Sequence, residues 1–216
     1  MALQERGIRT RRLILEAAAE AFAQNGYEGA STTAILARAG LTRGALYHHF
    51  SSKEAIAAAL VDAQTQALVV PDRPTKLQAL IDLTLRFAHD LLHDSVLQAS
   101  VRLTVEQTSF REGKVTAYQR SAEVILEVLR DAEARGELLP GLEVEDVAQL
   151  IVGAFTGLQL MSHLYTERED LAHRVAVMWR CMLPGIAAPG LVAHLSTNCA
   201  RMASEGRSDV LPATAE

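Results

Sequence analysis

The stretch LTRGALYHHF, residues 41–50, holds the side chains of this chain that are best suited to chemistry. Arg43 carries a planar cation, Tyr47 a phenol, and His48 and His49 two imidazoles. An arginine can pair bidentately with the O6 and N7 atoms of guanine, and phenol or imidazole groups can donate to phosphate or contact a thymine methyl. These residue types therefore favour contact with duplex DNA over catalysis.

Two short helices are expected to position these side chains. Ser31 should cap a helix over residues 32–39 that Gly40 ends, and Thr42 should cap a second helix that runs through His49. Because a helix of two turns is marginal alone, its neighbours must brace it. A glycine turn between two short helices predicts a helix-turn-helix, although an ordinary helical core can contain the same pattern.

The second short helix divides into an apolar and a polar face. Leu46 and Phe50, four residues apart, are expected to point inward against Phe22, Ile35 and Leu36. The remaining face is polar, lightly basic and aromatic, and Lys53 follows it at the start of the next helix. The residues predicted to meet DNA on these grounds are Thr42, Arg43, Gly44, Ala45, Tyr47, His48 and Lys53.

The distribution of charge supports the same interpretation. Residues 1–53 carry seven Lys or Arg and four Asp or Glu, a formal charge of +3, whereas residues 54–216 carry fourteen and twenty-two, a formal charge of −8. A small basic segment before a larger acidic one is typical of a head that meets a polyanion. Solvated helix faces alone can also produce a difference of this size.

Helical signals recur along the whole chain and strand signals do not, so an all-α fold is predicted. Caps, glycines and prolines predict helices over 9–25, 32–39 and 42–49; a helix opened by the capping box Ser51-x-x-Glu54 and running to about residue 69; helices over 75–93, 95–107, 115–135 and 143–165; a helix capped by Thr166-x-x-Glu169; and a last helix to about residue 204. Loops are predicted at 109–114 and 184–190.

Several classes of protein and site are disfavoured. No apolar run approaches ~18 residues, so no membrane span is expected, and the N-terminal residues lack the apolar core of a secretory signal. Cys181 and Cys199 lack metal-ligand spacing and fit a reducing cytoplasm. No metal triad, nucleophile elbow or phosphate loop is found, so neither an enzyme nor a metal or cofactor site is predicted. The histidines outside the short stretch lack a paired-ligand pattern: His89, His93, His163 and His173.

Residues 10–56 resemble the N-terminal domain of the TetR family of bacterial repressors nearly end to end. The matching positions are Phe22, Gly26-Tyr27, Thr32, Ile35, Ala39-Gly40, Leu46-Tyr47, His49-Phe50, Lys53 and Ile56. The resemblance implies that the matched residues of the second short helix face DNA, and it adds Thr32 and Thr33 to the predicted contacts. It also implies a helix-turn-helix domain over 1–53 and a larger ligand-binding and dimerisation domain over 54–204. Residues 205–216 have little to bury, so a disordered tail is expected there.

The second half resembles one branch of that family more specifically. Residues 91–107 are similar to a segment of the γ-butyrolactone autoregulator receptors, which control antibiotic production, and residues 147–162 and 171–186 also resemble that branch. Many of these receptors carry a Trp over the ligand pocket where this chain has Tyr118. The departure weighs against a saturated alkyl γ-butyrolactone as ligand and leaves a butenolide or furan carboxylic acid open.

A small, mostly apolar signal needs an apolar cavity with a few polar groups. Thr156 and Gln159 share a face and interrupt an apolar helix, so we expect them to hydrogen-bond a lactone carbonyl or ring oxygen. The alternative is that Thr156 bonds to its own backbone and that Gln159 is solvated. The full set of predicted ligand contacts is Gln64, Phe87, Gln107, Tyr118, Ile125, Phe155, Thr156, Gln159 and His163.

A DNA-binding helix of two turns contacts few base pairs. Two copies of the protein are therefore expected on a pseudo-palindromic operator, in major grooves ~34–36 Å apart or a multiple of that distance. Apolar stripes at 147–164 and 171–182 are expected to form the homodimer, with Gly153 and Gly157 allowing close approach; the alternative is that both stripes are intrachain core. The sequence thus predicts a cytoplasmic repressor of antibiotic or secondary-metabolite genes that a small lipophilic signal releases from DNA. A repressor that responds to a drug, or to no ligand, remains an alternative.

Overall fold

The computed structural model describes residues 2–106 and 111–198, with side chains over 5–105 and 117–198. Within these residues it contains nine α-helices, one 3₁₀ turn and no strand beyond an isolated bridge between Leu138 and Ala187. The all-α prediction is therefore confirmed. The helices are α1 (Ala2–Gly29), α2 (Thr32–Ala39), α3 (Arg43–His49), α4 (Lys53–Gln66), α5 (Lys76–His93), α6 (Ser95–Glu106), α7 (Arg111–Ala134), α8 (Val144–Thr166) and α9 (Leu171–Ile186).

The described residues divide into two compact units. The first holds the residues up to 67 together with 93–120, and the second holds 68–92 and the residues from 121 onward. Helices α1 to α4, α6 and the first part of α7 lie in the first unit, whereas α5, the rest of α7, α8 and α9 lie in the second.

Local chemistry explains the start and end of the short helices in the first unit. The Ser31 hydroxyl accepts the backbone N–H of Ala34 at 3.1 Å and begins α2, and Gly40 ends it with a left-handed φ of 63°. The Thr42 hydroxyl accepts the N–H of Ala45 at 3.3 Å and begins α3. The predicted bounds of both helices are thereby confirmed.

The start of α4 differs from the prediction by one residue. Ser52, not Ser51, caps the helix, because its hydroxyl accepts the N–H of Ala55 at 3.2 Å. The predicted capping box is therefore wrong. Glu54 accepts a hydrogen bond from the Tyr27 hydroxyl at 3.2 Å, so it makes a tertiary contact in addition to its local bonds at the start of α4.

Two further helix starts were mispredicted. Helix α7 begins at Arg111, inside the predicted loop, whose first residues lie outside the described part of the chain. Helix α9 begins after Asp170 rather than at Thr166. The cause is a left-handed turn, since Glu167 and Arg168 have φ values of 52° and 74° and end α8 before the next helix can begin.

The end of α9 also differs from the prediction. The helix continues through Pro184 to Ile186. A proline so close to the end removes one intrahelical hydrogen bond, and tertiary bonds hold the last turn, since the N–H of Leu139 donates to the carbonyl of Ile186 at 2.9 Å. Of the predicted last helix, the described residues form only a 3₁₀ turn at Val192–His194.

Trp179 belongs to the buried core of the second unit. Its side chain is fully buried, and its indole N–H donates to the Thr84 hydroxyl at 2.7 Å. The start of α5 is capped by a residue that is distant in the chain. The Glu137 carboxylate accepts the N–H groups of Lys76 and Leu77 at 3.0 and 2.9 Å. A carboxylate on the first turn satisfies orphan donors and the helix dipole together.

Helix α8 is unusually apolar. Among the described residues it is the single helix with the length and hydropathy to cross a membrane, and 28% of its most apolar window is buried. The sequence predicts no membrane span, and length and hydropathy alone do not indicate one. The apolar residues that α8 exposes are Leu150, Leu160, Met161, Leu164 and Tyr165.

Candidate nucleic-acid interface and ligand-binding residues

Helix α3 is held from one side by the core of the first unit. Leu46 and Phe50 are buried in a cluster with Phe22 and Ile35, and Leu36 packs against that cluster. The predicted inward face is confirmed. A helix of seven residues can persist here because burial, rather than helix propensity, supplies its stability.

The opposite face of α3 is open to solvent. Thr42, Arg43, Gly44, Tyr47 and His48 are exposed. Ala45 and Thr32 are half-buried and Thr33 is exposed, so the start of α2 is accessible as well. The structure thus leaves the α2 and α3 residues of the predicted DNA-binding set accessible to a groove.

Arg43 and Tyr47 form one unit on that face. The guanidinium carbon of Arg43 lies 5.5 Å from the ring centroid of Tyr47, and 44% of the Tyr47 surface remains exposed. A guanidinium over an aromatic ring is held in a limited range of orientations by the cation–π attraction. The contact therefore holds the Arg43 guanidinium over the Tyr47 ring on the exposed face of α3.

The end of α3 is crowded with basic groups. The rings of His48 and His49 meet edge to face at 5.1 Å, and Arg11 lies 5.2 Å from the centroid of Phe50. Burial lowers the pKa of His49, and the neighbouring charges of His48 and Arg11 lower it further. Sequence reasoning missed Arg11, because its contact joins residues far apart in the chain.

Lys53 has partners inside the protein that the sequence interpretation did not include. Its ammonium donates to the carbonyls of Tyr27 and Ala30 at 3.0 and 3.3 Å and lies 4.4 Å from the Tyr27 ring centroid. Burial, followed by the charge of Glu54, raises the pKa of Tyr27 to about 12. A phosphate contact by Lys53 stays a prediction.

The predicted ligand residues fall in both units. Gln64 and Tyr118 belong to the first, where Oε1 of Gln64 lies 3.3 Å from the Thr104 hydroxyl. Gln107 lies outside the described residues. The remaining six are in the second unit: Phe87, Ile125, Phe155, Thr156, Gln159 and His163.

Part of the second set does come together. The rings of Phe87 and Phe155 meet edge to face with centroids 5.5 Å apart, and Phe155, Gln159 and His163 follow one another at four-residue spacing along one side of α8. Ile125 is buried on α7. An aromatic pair beside a polar side chain is a common composition for a site that binds a small lipophilic molecule.

Gln159 and Thr156 differ in the hydrogen bonds that they can make to a ligand. Gln159 is 3% exposed, so it is not solvated, and its Oε1 has no hydrogen-bond partner among the described residues. The Thr156 hydroxyl donates to the carbonyl of Val152 at 2.8 Å, as its alternative interpretation expected, and keeps only acceptor capacity. Gln159 is therefore the stronger candidate for a polar contact.

The exposed side of α8 adjoins α9 along an open groove. The groove has a volume of ≈640 Å³ and is lined by Gly153, Gly157, Met161 and Val177, among others. Neither glycine has a neighbouring atom within 4 Å of the position that a Cβ would take. Another helix could therefore approach the backbone closely here.

The junction between α8 and α9 is polar. The Ser162 hydroxyl donates to the Asp170 carboxylate at 2.6 Å, Thr166 lies 2.7 Å from the same group, and Arg174 donates to its other oxygen at 2.7 Å. The hydroxyl bonds from Ser162 and Thr166, followed by Arg174, lower the pKa of Asp170 to about 2. Within the described residues no group of His, Cys, Asp and Glu could hold a metal ion.

This chain is similar to known bacterial regulatory proteins over most of its length. A model of bacterial regulatory proteins of the TetR family matches residues 14–60, and a model of the tetracyclin repressor-like C-terminal domain matches residues 74–188. The A-factor receptor protein of Streptomyces griseus is 40% identical over 210 residues, which cover 97% of this chain and 73% of that protein.

Solved structures agree with the sequence matches. Native TylP, a TetR regulator from Streptomyces fradiae, superposes with a TM-score of 0.88 at 38% identity, covering 95% of this chain and 100% of its own. A γ-butyrolactone receptor described as ArpA-like has a TM-score of 0.73 at 30% identity, covering 93% and 99%. With an exposed helix-turn-helix face on an all-α body and matches to both domains, this chain belongs to the TetR family of transcriptional regulators and is closely related to its γ-butyrolactone receptors.

Proposed function

We propose that this protein is a cytoplasmic, dimeric repressor that binds a pseudo-palindromic operator and is released by a small signal of the γ-butyrolactone, butenolide or furan type. The observation that carries the proposal is the exposed face of α3, where Arg43 stacks on Tyr47 while Leu46 and Phe50 are buried. Regulators of this family bind operator DNA and act as dimers. Two of its relatives, a receptor for A-factor and a γ-butyrolactone receptor, indicate the class of signal.

The residues assigned to DNA and to ligand remain proposals. On α2 and α3 the DNA-contacting set is exposed or half-exposed throughout. We propose that the functional boundary between the DNA-binding and ligand-binding domains lies after residue 53. We also propose that the protein controls antibiotic or secondary-metabolite genes, because it is related to those receptors.

A second copy of this chain is the proposed occupant of the α8–α9 groove. Leu164 is a large apolar side chain and Tyr165 a partly apolar one, yet 71% and 72% of their surfaces are exposed. Contiguous apolar surface of this kind marks an interaction site. A symmetric four-helix contact explains both the exposed stripe and the apolar character of α8, and the two glycines would allow close packing.

The proposed ligand site lies beside Phe87, Phe155 and Gln159. Rotating the terminal amide of Gln159 by half a turn exchanges an acceptor for a donor, so it can meet either a ligand hydroxyl or a lactone carbonyl. A buried acceptor without a partner costs about 1–3 kcal/mol. A ligand that supplies the missing bond recovers that cost and gains apolar contact with the two rings.

Release from DNA is proposed to be a population shift. The unliganded dimer holds its two heads at the spacing of the operator, and the ligand binds better to a state in which α4 and the heads have moved. The change in operator affinity can be no larger than the difference in ligand affinity between the two states.

The test begins with selection of an operator from random-sequence duplex DNA by the full-length protein. Release is then titrated with three probes: a 2-alkanoyl-γ-butyrolactone, an alkyl butenolide and an alkyl furan carboxylic acid. We expect one class to lower operator affinity at least tenfold. Release by none of them, with release by a panel of lipophilic drugs, would instead support the alternative of a drug-responsive repressor.

The substitution Gln159→Leu tests the site itself. It removes a buried amide oxygen that has no hydrogen-bond partner in the described part of the chain, so thermal stability should be unchanged or raised, while the affinity of the active probe should fall about tenfold or more. Gln119→Leu, at an exposed position of α7, is the matched control and should leave both unchanged. An unchanged dose-response in Gln159→Leu would remove Gln159 from the site.

A further inference from the structure

Two adjacent residues at the start of α4 hold the junction between α1 and α2. Gly26, with a φ of 67°, breaks the regular conformation inside α1, and the chain then turns towards Ser31, the cap of α2. Lys53 donates to the carbonyls of Tyr27 and Ala30 on either side of that turn, at 3.0 and 3.3 Å. The first residue of α4 thereby reaches the residue that immediately precedes the cap of α2.

The chemistry of this contact uses most of what an ammonium group offers. An ammonium has three N–H donors, and Lys53 commits two of them to carbonyl oxygens while its charge lies 4.4 Å from the Tyr27 ring centroid. The next residue adds a second tie, because Glu54 accepts the Tyr27 hydroxyl at 3.2 Å. Tyr27 is itself buried against Phe22, with ring centroids 5.5 Å apart, so both ties end on a fixed point.

We propose that Lys53 is a positioning residue that fixes the angle between α4 and the helix-turn-helix, and thereby the spacing of the two heads on DNA, rather than a ligand of phosphate. Lys53 acts through Ala30, which precedes the capped start of α2. It thereby positions the α2 and α3 residues that are proposed to face the groove. With these ties intact, α4 and the reading helices move as one body. The inference rests on the proposed binding of a dimer to a pseudo-palindromic operator.

The test compares wild type with Lys53→Gln as full-length proteins on the operator selected above. Two quantities are measured: the slope of log affinity against log salt concentration, and the ratio of affinities for the selected operator and for versions with one or two base pairs inserted or deleted at its centre. Arg43→Gln, which removes an exposed cation from the reading face, is the matched control for charge.

The two roles of Lys53 predict opposite results. A phosphate ligand in both copies would make the slope shallower by about 2, since each phosphate neutralised contributes about 0.9. A positioning residue leaves the slope at its wild-type value and lowers discrimination between correct and altered spacing on the order of tenfold, because hydrogen bonds from a charged donor have been lost. Arg43→Gln, which removes a cation from the exposed face of α3, should make the slope shallower and so shows that the measurement detects the loss of one cation per head.

Tyr27→Phe provides a second variant in case Lys53→Gln does not fold. It keeps the ring and the carbonyl that Lys53 contacts, removes the bond to Glu54, and changes no charge at neutral pH. We expect an unchanged slope and a smaller loss of spacing discrimination. A shallower slope in Lys53→Gln would overturn the inference. A spacing preference that stays at the wild-type value in both variants would also overturn it, even if their melting temperatures change. If selection enriches no duplex for wild type, the proposed function fails and this inference fails with it, whereas the other failures concern Lys53 alone.

Discussion

Arg43→Ala tests the reading face most directly. The side chain is exposed and its aromatic contact is with Tyr47 on the same helix, so truncation should change the free energy of unfolding by no more than about 0.5 kcal/mol. A bidentate arginine–guanine contact contributes about 1–3 kcal/mol of base discrimination. Two heads bind one operator, so the loss per dimer is about 2–6 kcal/mol, roughly 30-fold to 10⁴-fold in affinity.

Fluorescence anisotropy with the selected operator and a scrambled duplex of equal length measures this loss. Arg43→Ala should weaken binding to the operator much more than binding to the scrambled duplex. Arg43→Lys separates charge from geometry: it should keep the salt dependence of wild type and still lose base preference, because a lysine cannot make the planar bidentate contact. If operator affinity and the ratio between the two duplexes both stay at wild-type values in Arg43→Ala, Arg43 is not a reader.

Two further predictions concern the second unit. Asp170→Asn should lower the melting temperature at pH 7 but not near pH 2: the folded-state pKa of about 2 lies below the ordinary 3.8, so the stabilisation is present above pH 4 and is lost as the pH falls towards 2. Thermal melts at several pH values measure this, and a pH-independent difference would contradict it. Leu164→Asp should convert the dimer into monomers and weaken operator binding, whereas Val69→Asp, at a position that is 67% exposed and does not belong to α8, should do neither. Sedimentation velocity decides between these outcomes, and a Leu164→Asp protein that remains dimeric would exclude the α8 face.

Local chemistry made the head of the molecule predictable from sequence. Ser31, Gly40 and Thr42 act on backbone groups within four residues of themselves, so their spacing alone predicts α2 and α3. The inward direction of Leu46 and Phe50 follows from helical periodicity and is equally local. These are the features on which the family resemblance also depends.

Interactions between distant residues account for what sequence reasoning missed. Glu54 has the residue type for a capping box but bonds to Tyr27, 27 positions earlier, and Lys53 donates to carbonyls whose accessibility depends on the turn after Gly26. Glu137 caps α5 from 60 positions away in the chain. No periodicity encodes such pairs, since each depends on how the helices pack.

The two faces of α3 have a consequence for engineering. Leu46 and Phe50 pack the helix against the core and point away from the residues that would touch DNA. Residues of the outer face could therefore be substituted without repacking the interior. The stacking of Arg43 on Tyr47 limits that freedom, because a new residue at either position changes the orientation of the other. Libraries that vary these two positions jointly should yield variants that address different promoters while the buried core stays unchanged.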